Sequence, residues 1–175
     1  MNLDDVASPA DRKVLLDTRL TSPAWGGSGK SHLGEVLRYA IKLDAQTILD
    51  YGCGTGSLKE ALSGSRFKDV REYDPGVAGK EAMPEPADLV VATDVLEHIE
   101  PELLKNVLSH LKALSKKGMF LVIASNAARL TLSDGRNAHL IQKPLPFWIK
   151  QFRDSGIRVD KVDYRKGFYI WASPG

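Results

Sequence analysis

Ile48-Leu49-Asp50-Tyr51-Gly52-Cys53-Gly54-Thr55-Gly56 decides how this chain is read. The apolar run Thr47-Ile48-Leu49 leads into Asp50 and a turn with three glycines. Helical spacing resumes at Leu58, Ala61 and Leu62. This is the pattern of a strand, a tight glycine-rich loop and a helix N-terminus. Glycine lets the backbone turn sharply and lets a ligand approach without a Cβ in the way. The helix start offers unpaired N–H groups to a polar or anionic ligand group. The third glycine follows the second by two residues, whereas the dinucleotide fingerprint G-x-G-x-x-G requires three.

Outward from this loop, strands and helices alternate. Gly34 to Leu43 predicts a helix with Val36, Leu37, Ala40 and Ile41 on one face. A second strand is expected over Asp69 to Tyr73, ended by the turn Asp74-Pro75-Gly76. Ala87 to Thr93 is apolar on both faces, as a buried parallel strand should be. Pro101 opens a helix carrying Leu104, Val107, Leu108, Leu111 and Leu114, which Gly118 is expected to close; His110, off that stripe, reads as solvated. Phe120 to Ile123 is a further strand. Residues 126–145 read as a long irregular segment, and such a loop in a compact domain usually carries function or disorder. Phe147 to Asp154 reads as a helix, and a hairpin pairs Ile157 to Tyr164 with Phe168 to Ala172. The fold class is α/β: a doubly wound, mainly parallel sheet covered on both faces, with an antiparallel strand from the hairpin.

The chain has 175 residues, the size of one domain, with residues 1–33 as a lead-in and flap and 34–175 as the main body. Its net charge of +2 carries no strong nucleic-acid signal by itself. One cysteine, Cys53, excludes an internal disulfide and a cysteine metal cage. No signal peptide or membrane span is evident, so a cytoplasmic location is expected, in a host cell if the gene is viral. Trp25-Gly26-Gly27-Ser28-Gly29-Lys30-Ser31 imitates the end of a phosphate-binding loop, but that pattern requires glycine where Ala24 stands, so the stretch reads as a mobile flap near the site.

Asp50-Tyr51-Gly52-Cys53-Gly54-Thr55-Gly56 resembles the first motif of class I S-adenosylmethionine-dependent methyltransferases, close to D-x-G-C-G-x-G. Asp94-Val95-Leu96-Glu97-His98-Ile99 is similar to a D-V-L-E-H-[VI] string that many of them carry after the strand at Leu89. The resemblance covers about residues 34–172, and the Gly135 to Leu140 loop is also similar to that of short phage and bacterial members. It implies S-adenosylmethionine as cofactor, with S-adenosylhomocysteine as product. It puts Asp50, Tyr51, Gly52, Cys53, Gly54, Gly56, Tyr73, Asp74, Asp94, Val95 and Leu96 on that cofactor. Asp74 would accept the ribose hydroxyls, and Glu72 reads as pointing to the opposite face. The connection from Pro75 to Pro86 has no room for the helix and edge strand this family places there, so a trimmed sheet is expected.

His139 or His98 would serve as general base for a hydroxyl acceptor, since imidazole titrates near working pH. Asp94 would join them at the reacting end. Some relatives hold a divalent metal at the corresponding positions, here Asp94, Glu97, His98 and His139; that ligand set is the weaker alternative. The string lacks the Asn/Asp-Pro-Pro-aromatic motif of DNA aminomethyltransferases. Two other classes stay open: a catalytically inactive S-adenosylmethionine-binding subunit, and an NAD-type oxidoreductase. The methyl acceptor and oligomeric state are not identified.

Overall fold

The computed structural model describes residues 1–23, 25–67 and 69–175. Ala24, on which the phosphate-loop comparison turned, lies outside the described residues. Two short helices open the chain, α1 (Leu3–Val6) and α2 (Pro9–Thr21). Both begin with capping boxes: Asn2 and Asp5 exchange side chain-to-backbone hydrogen bonds, as do Ser8 and Asp11. A 3₁₀ turn over Gly29–His32 leads into α3 (Leu33–Lys42). β1 (Thr47–Tyr51), α4 (Ser57–Leu62), β2 (Asp69–Tyr73) and β3 (Ala87–Thr93) follow. α5 (Leu104–Leu114), β4 (Ser115–Ile123), α6 (Leu145–Asp154), β5 (Ile157–Tyr164) and β6 (Phe168–Pro174) complete the order.

The six strands form one sheet in the order β2-β1-β3-β4-β6-β5. The pairs among β1 to β4 are parallel, and β6 runs antiparallel between β4 and β5. The expected doubly wound sheet with an antiparallel C-terminal strand is therefore the observed one. β2 is an edge: among the described residues of 75–86 there is no strand, so the sheet is trimmed where the short connection required. One core packs α5 and α6 on the sheet through Leu108, Leu111, Trp148 and Phe152; the other packs α3 and α4 on the opposite face through Val36, Ala40, Leu58 and Phe120.

Three local expectations need correction. Gly118 does not close α5. The helix stops at Leu114, Ser115 caps it through N–H bonds to the Leu111 and Lys112 carbonyls, and Gly118 lies inside β4. A Cβ there would sit 2.7 Å from Leu43 Cδ1 and 2.9 Å from the Tyr39 hydroxyl, so glycine serves the close approach of α3. His110 is buried, not solvated, because it hydrogen-bonds the Tyr51 hydroxyl at 3.1 Å. Glu72 shares a sheet face with its register partner Asp50, since paired residues of adjacent strands point the same way. It is held there by Lys80 at 2.9 Å and Lys59 at 3.3 Å.

Candidate active site

The carboxyl ends of β1, β2 and β3 meet where the strand order reverses, the place at which open α/β sheets bind ligands. The loop after β1 is fixed from both sides. The N–H groups of Gly52 and Cys53 both donate to the Tyr73 carbonyl, at 2.7 and 3.1 Å. Gly52 has φ +74°, and a Cβ on it would lie 2.5 Å from Val95 Cγ2. Gly54 has φ +52°, and its Cβ would lie 2.2 Å from the Gly26 carbonyl oxygen. Neither position accommodates a side chain. Asp50, buried at the strand end, has its carboxyl pushed up to about 7. Burial is the main cause, and the neighbouring carboxylates of Glu72 and Asp74 add to it against the opposing charge of Lys80.

Asp74 already has three donors. Its Oδ2 accepts the Gly54 N–H at 2.9 Å and Arg19 Nη2 at 2.9 Å, and its Oδ1 accepts the Gly76 N–H at 2.9 Å. Arg19 comes from the end of α2 and also donates to the Trp25 carbonyl at 3.1 Å, with its guanidinium carbon 5.1 Å from the Trp25 ring. From there the segment lies down on the glycine loop. The Thr55 N–H donates to the Gly26 carbonyl at 3.2 Å, and the Ser57 hydroxyl to the Gly27 carbonyl at 3.0 Å. The stretch expected to be a flap is thus a strap across the loop.

A cavity of about 570 Å³ opens beyond the strap. Asp50, Gly52 and Cys53 line one wall; Asp94, His98 and His139 line another; residues 126–130 close it. Beside Tyr51, Asp74 and Val95 lies a second cavity of only about 80 Å³, under Arg19 and Trp25.

Asp94 adopts φ +55°, the left-handed region that a non-glycine residue rarely occupies, and its N–H donates to the Val122 carbonyl at 2.9 Å. Its carboxylate lies 4.0 Å from His32 Nε2. Glu97 is fully buried: Oε1 accepts the Ala124 N–H at 2.7 Å, while Oε2 has no partner among the described residues. Burial pushes its carboxyl up to about 8, against that backbone bond. His98 Nδ1 lies 2.7 Å from the Ala138 carbonyl, which can only accept, so Nδ1 carries the proton. Burial lowers His98 to about 4, so at neutral pH Nε2 holds a free lone pair. His139 is anchored the same way, its Nδ1 donating to the Asn126 carbonyl, and the two imidazoles meet edge to face at 4.9 Å.

Glu97, His98 and His139 bring one ligand atom each within 4.8 Å of one another and fit a divalent cation. Asp94 is not part of that group, which corrects the four-residue ligand set: its left-handed backbone aims the carboxylate toward His32. Other expected site residues are also placed differently. The Tyr73 and Leu96 side chains lie wholly in the core, and Tyr51 reaches only the small cavity. Cys53 lines the large cavity, but burial raises its thiol to about 12, as suits a filler.

Three features went unread. Arg19 and Trp25 carry no motif, and their role depends on a contact 55 residues away in sequence. Asn137 shapes the closing loop: its side chain accepts the N–H groups of Ala128 and His139 and donates to the Ala128 carbonyl. An asparagine two residues before a candidate base was the available signal.

The fold and this site define a doubly wound α/β protein with a glycine-loop ligand site at its switch point. Residues 26–164 match the methyltransferase-domain family, and the chain belongs to it, as a class I methyltransferase. No curated protein matches by sequence. Among solved structures it is similar to 1,6-didemethyltoxoflavin-N1-methyltransferase of Burkholderia thailandensis, crystallised with 1,6-didemethyltoxoflavin and S-adenosylhomocysteine. The TM-score is 0.67 and identity 13%, over 95% of this chain and 90% of that one. A methyltransferase from Clostridium acetobutylicum gives 0.63 at 13% identity, over 84% and 92% of the chains. Magnesium protoporphyrin IX methyltransferase from Synechocystis PCC 6803 with bound S-adenosylmethionine gives 0.57 at 19% identity, over 83% and 79%. Among the described residues no helix is long and apolar enough to cross a membrane.

Proposed function

We propose that this protein transfers the methyl group of S-adenosylmethionine to a hydroxyl or other small-molecule group, not to a DNA base amine. The observation that carries the reading is the 570 Å³ cavity, which puts the glycine-loop wall and the Asp94, His98 and His139 wall around one space. The bound cofactor would supply an electrophilic methyl carbon on a positive sulfur. Asp50, Gly52, Cys53 and Asp94 would hold its amino-acid end, and Asp74 its nucleoside, once Arg19 has yielded that carboxylate. The chain's contribution is mostly orientation, holding the acceptor atom in line with carbon and sulfur.

For a hydroxyl acceptor the new C–O bond forms as the C–S bond breaks, and the acceptor proton passes to His139 Nε2. His98, lowered to about 4, is a poor proton store at neutral pH; it packs on His139 and fixes that ring. Glu97, His98 and His139 could instead hold a divalent cation; His139 Nε2 would then be a ligand and not the base, so this is the weaker alternative to the proton transfer above. A cytosolic location in a bacterium or a phage-infected host goes with this reading. The alternative, an inactive S-adenosylmethionine-binding subunit, is favoured by one contact, Arg19 on Asp74. Transfer of isotopically labelled methyl to a panel of hydroxyl and amine acceptors tests both. Labelling lost in His139→Asn supports the enzyme; cofactor binding with no labelling across the panel supports the subunit.

A further inference from the structure

Away from the cleft, a second groove of about 550 Å³ runs between α3 and the β5–β6 hairpin. Five cations line it: Arg38, Lys42, Lys117, Arg158 and Lys161. Two carboxylates, Glu35 and Asp160, oppose them, so the lining carries five minus two, or +3, against +2 for the whole chain. The mild total charge therefore conceals a local concentration. Arg38 pairs with Glu35 and Arg158 with Asp160, both at 2.8 Å, and Lys117 lies 3.8 Å from Asp88. In each pair the cation is more exposed than its partly buried carboxylate, and Glu35 also holds Arg165 at 2.8 Å; the exposed guanidinium and ammonium groups can turn to a phosphate while the carboxylates stay where they are. Lys42 and Lys161 have no carboxylate partner among the described residues.

The floor of the groove is aromatic. Trp171 is half-buried on β6, packs on Phe120 at 5.4 Å, and has Lys161 Nζ 4.4 Å from its ring. Two residues back on the same face, Tyr169 carries Arg165 at 4.6 Å. A separate cavity of about 220 Å³, lined by Asp94, Ala124, Lys166 and Tyr169, lies between Tyr169 and the cleft, with which it shares Asp94 and Ala124. Trp171, Tyr169 and Asp94 thus mark one path toward the cleft, with the two rings about 7 Å apart at the usual strand rise. Arg165, paired with Glu35 at 2.8 Å and Asp163 at 3.3 Å, lies over the Tyr169 ring and must move for a base to stack there.

We propose that this path is an exosite for single-stranded nucleic acid, whose phosphates pair with the groove cations and whose bases stack on Trp171 and Tyr169. It rests on the methyltransferase reading and narrows its acceptor from a small molecule to a hydroxyl of the bound strand, presented to the cleft. The alternation of rings and cations favours this partner over an acidic peptide, which uses cations and leaves the aromatic floor without a role. On binding, Lys161 leaves the ring face for a phosphate, and a base takes its place.

The test is fluorescence anisotropy of a labelled 12-residue oligouridylate with the full chain, followed also by tryptophan emission. Expected is a Kd below about 100 µM near 50 mM salt, with log K falling against log salt at a slope of roughly −2 to −3.5, three to five phosphates at about 0.7 each. Arg158→Glu with Lys161→Glu should weaken binding at least about tenfold, and Trp171→Phe should remove most of the emission change. S-adenosylhomocysteine titration of the same variants should match the wild type, which verifies their folding. No oligonucleotide binding, binding that ignores these substitutions, or equal affinity for a glutamate peptide or for free uridine monophosphate would overturn the proposal. If S-adenosylhomocysteine fails to bind while the oligonucleotide binds as described, the cofactor reading falls and the groove stands.

Discussion

The two ends of the cleft are built from the same strand edge and differ sharply in what fills them. At the end proposed to carry the reaction, Asp50, Asp94, His98 and His139 surround a cavity of about 570 Å³. At the end proposed to take the nucleoside, Arg19 and Trp25 leave about 80 Å³ beside Asp74. The sheet ends do not cause this difference; the N-terminal strap does. Arg19 adds a cationic partner to a buried carboxylate that otherwise keeps the Gly54 and Gly76 N–H donors, so the strap is tied to the same group that is proposed to take the nucleoside. The sheet ends present the site, and a segment ahead of the first strand covers one end of it.

The comparison can be broken at either end. The largest effect is expected at the reacting end, where His139→Asn should lower methyl transfer to a hydroxyl acceptor by about 10²-fold without moving S-adenosylhomocysteine affinity. Steady-state rates beside calorimetric binding check the split; a fall in affinity with unchanged turnover would assign His139 to binding. At the nucleoside end, Asp74→Ala removes the acceptor that holds Gly54 and Gly76, and should weaken S-adenosylhomocysteine by roughly 30-fold. Arg19→Gln works the other way. It leaves Asp74 free for the ligand, so affinity should rise by about tenfold, and an unchanged or weaker affinity would show that Arg19 assists binding instead.

The smallest effect concerns stability of the ligand-free protein. The Asp50 carboxyl is raised in the fold, mainly by burial, to about 7 from an ordinary value near 3.8. A raised carboxyl favours the folded state below the ordinary value and loses that contribution as pH climbs to 7. Asp50→Asn should therefore flatten the decline in Tm between pH 5 and 7, by roughly 5 °C across that range. Melting curves at the two pH values decide it, and parallel declines in both proteins would place Asp50 in a more polar setting than its burial indicates.

Much of this molecule was readable because its decisive features are local. Asp50 to Gly56 combines a buried strand end with glycines at fixed offsets, and the short, proline-bearing stretch from Pro75 to Pro86 left no length for an edge strand. Asp94 to His98 was legible as a string, yet its geometry was not: the left-handed turn at Asp94 separates its carboxylate from Glu97 and His98. Gly118 and His110 were misread because their reasons lie across the sheet, in α3 for one and in Tyr51 for the other. Arg19 was silent for the same cause, since its meaning rests on Asp74. Pairwise tertiary contacts of this kind leave no period or spacing in a single sequence.

Calorimetric titration of S-adenosylhomocysteine into the wild type, Arg19→Gln and Asp74→Ala tests the central claim most directly. The account predicts binding to the wild type, tighter binding to Arg19→Gln and much weaker binding to Asp74→Ala. Equal affinity in all three, or none in the wild type and Arg19→Gln alike, would contradict it.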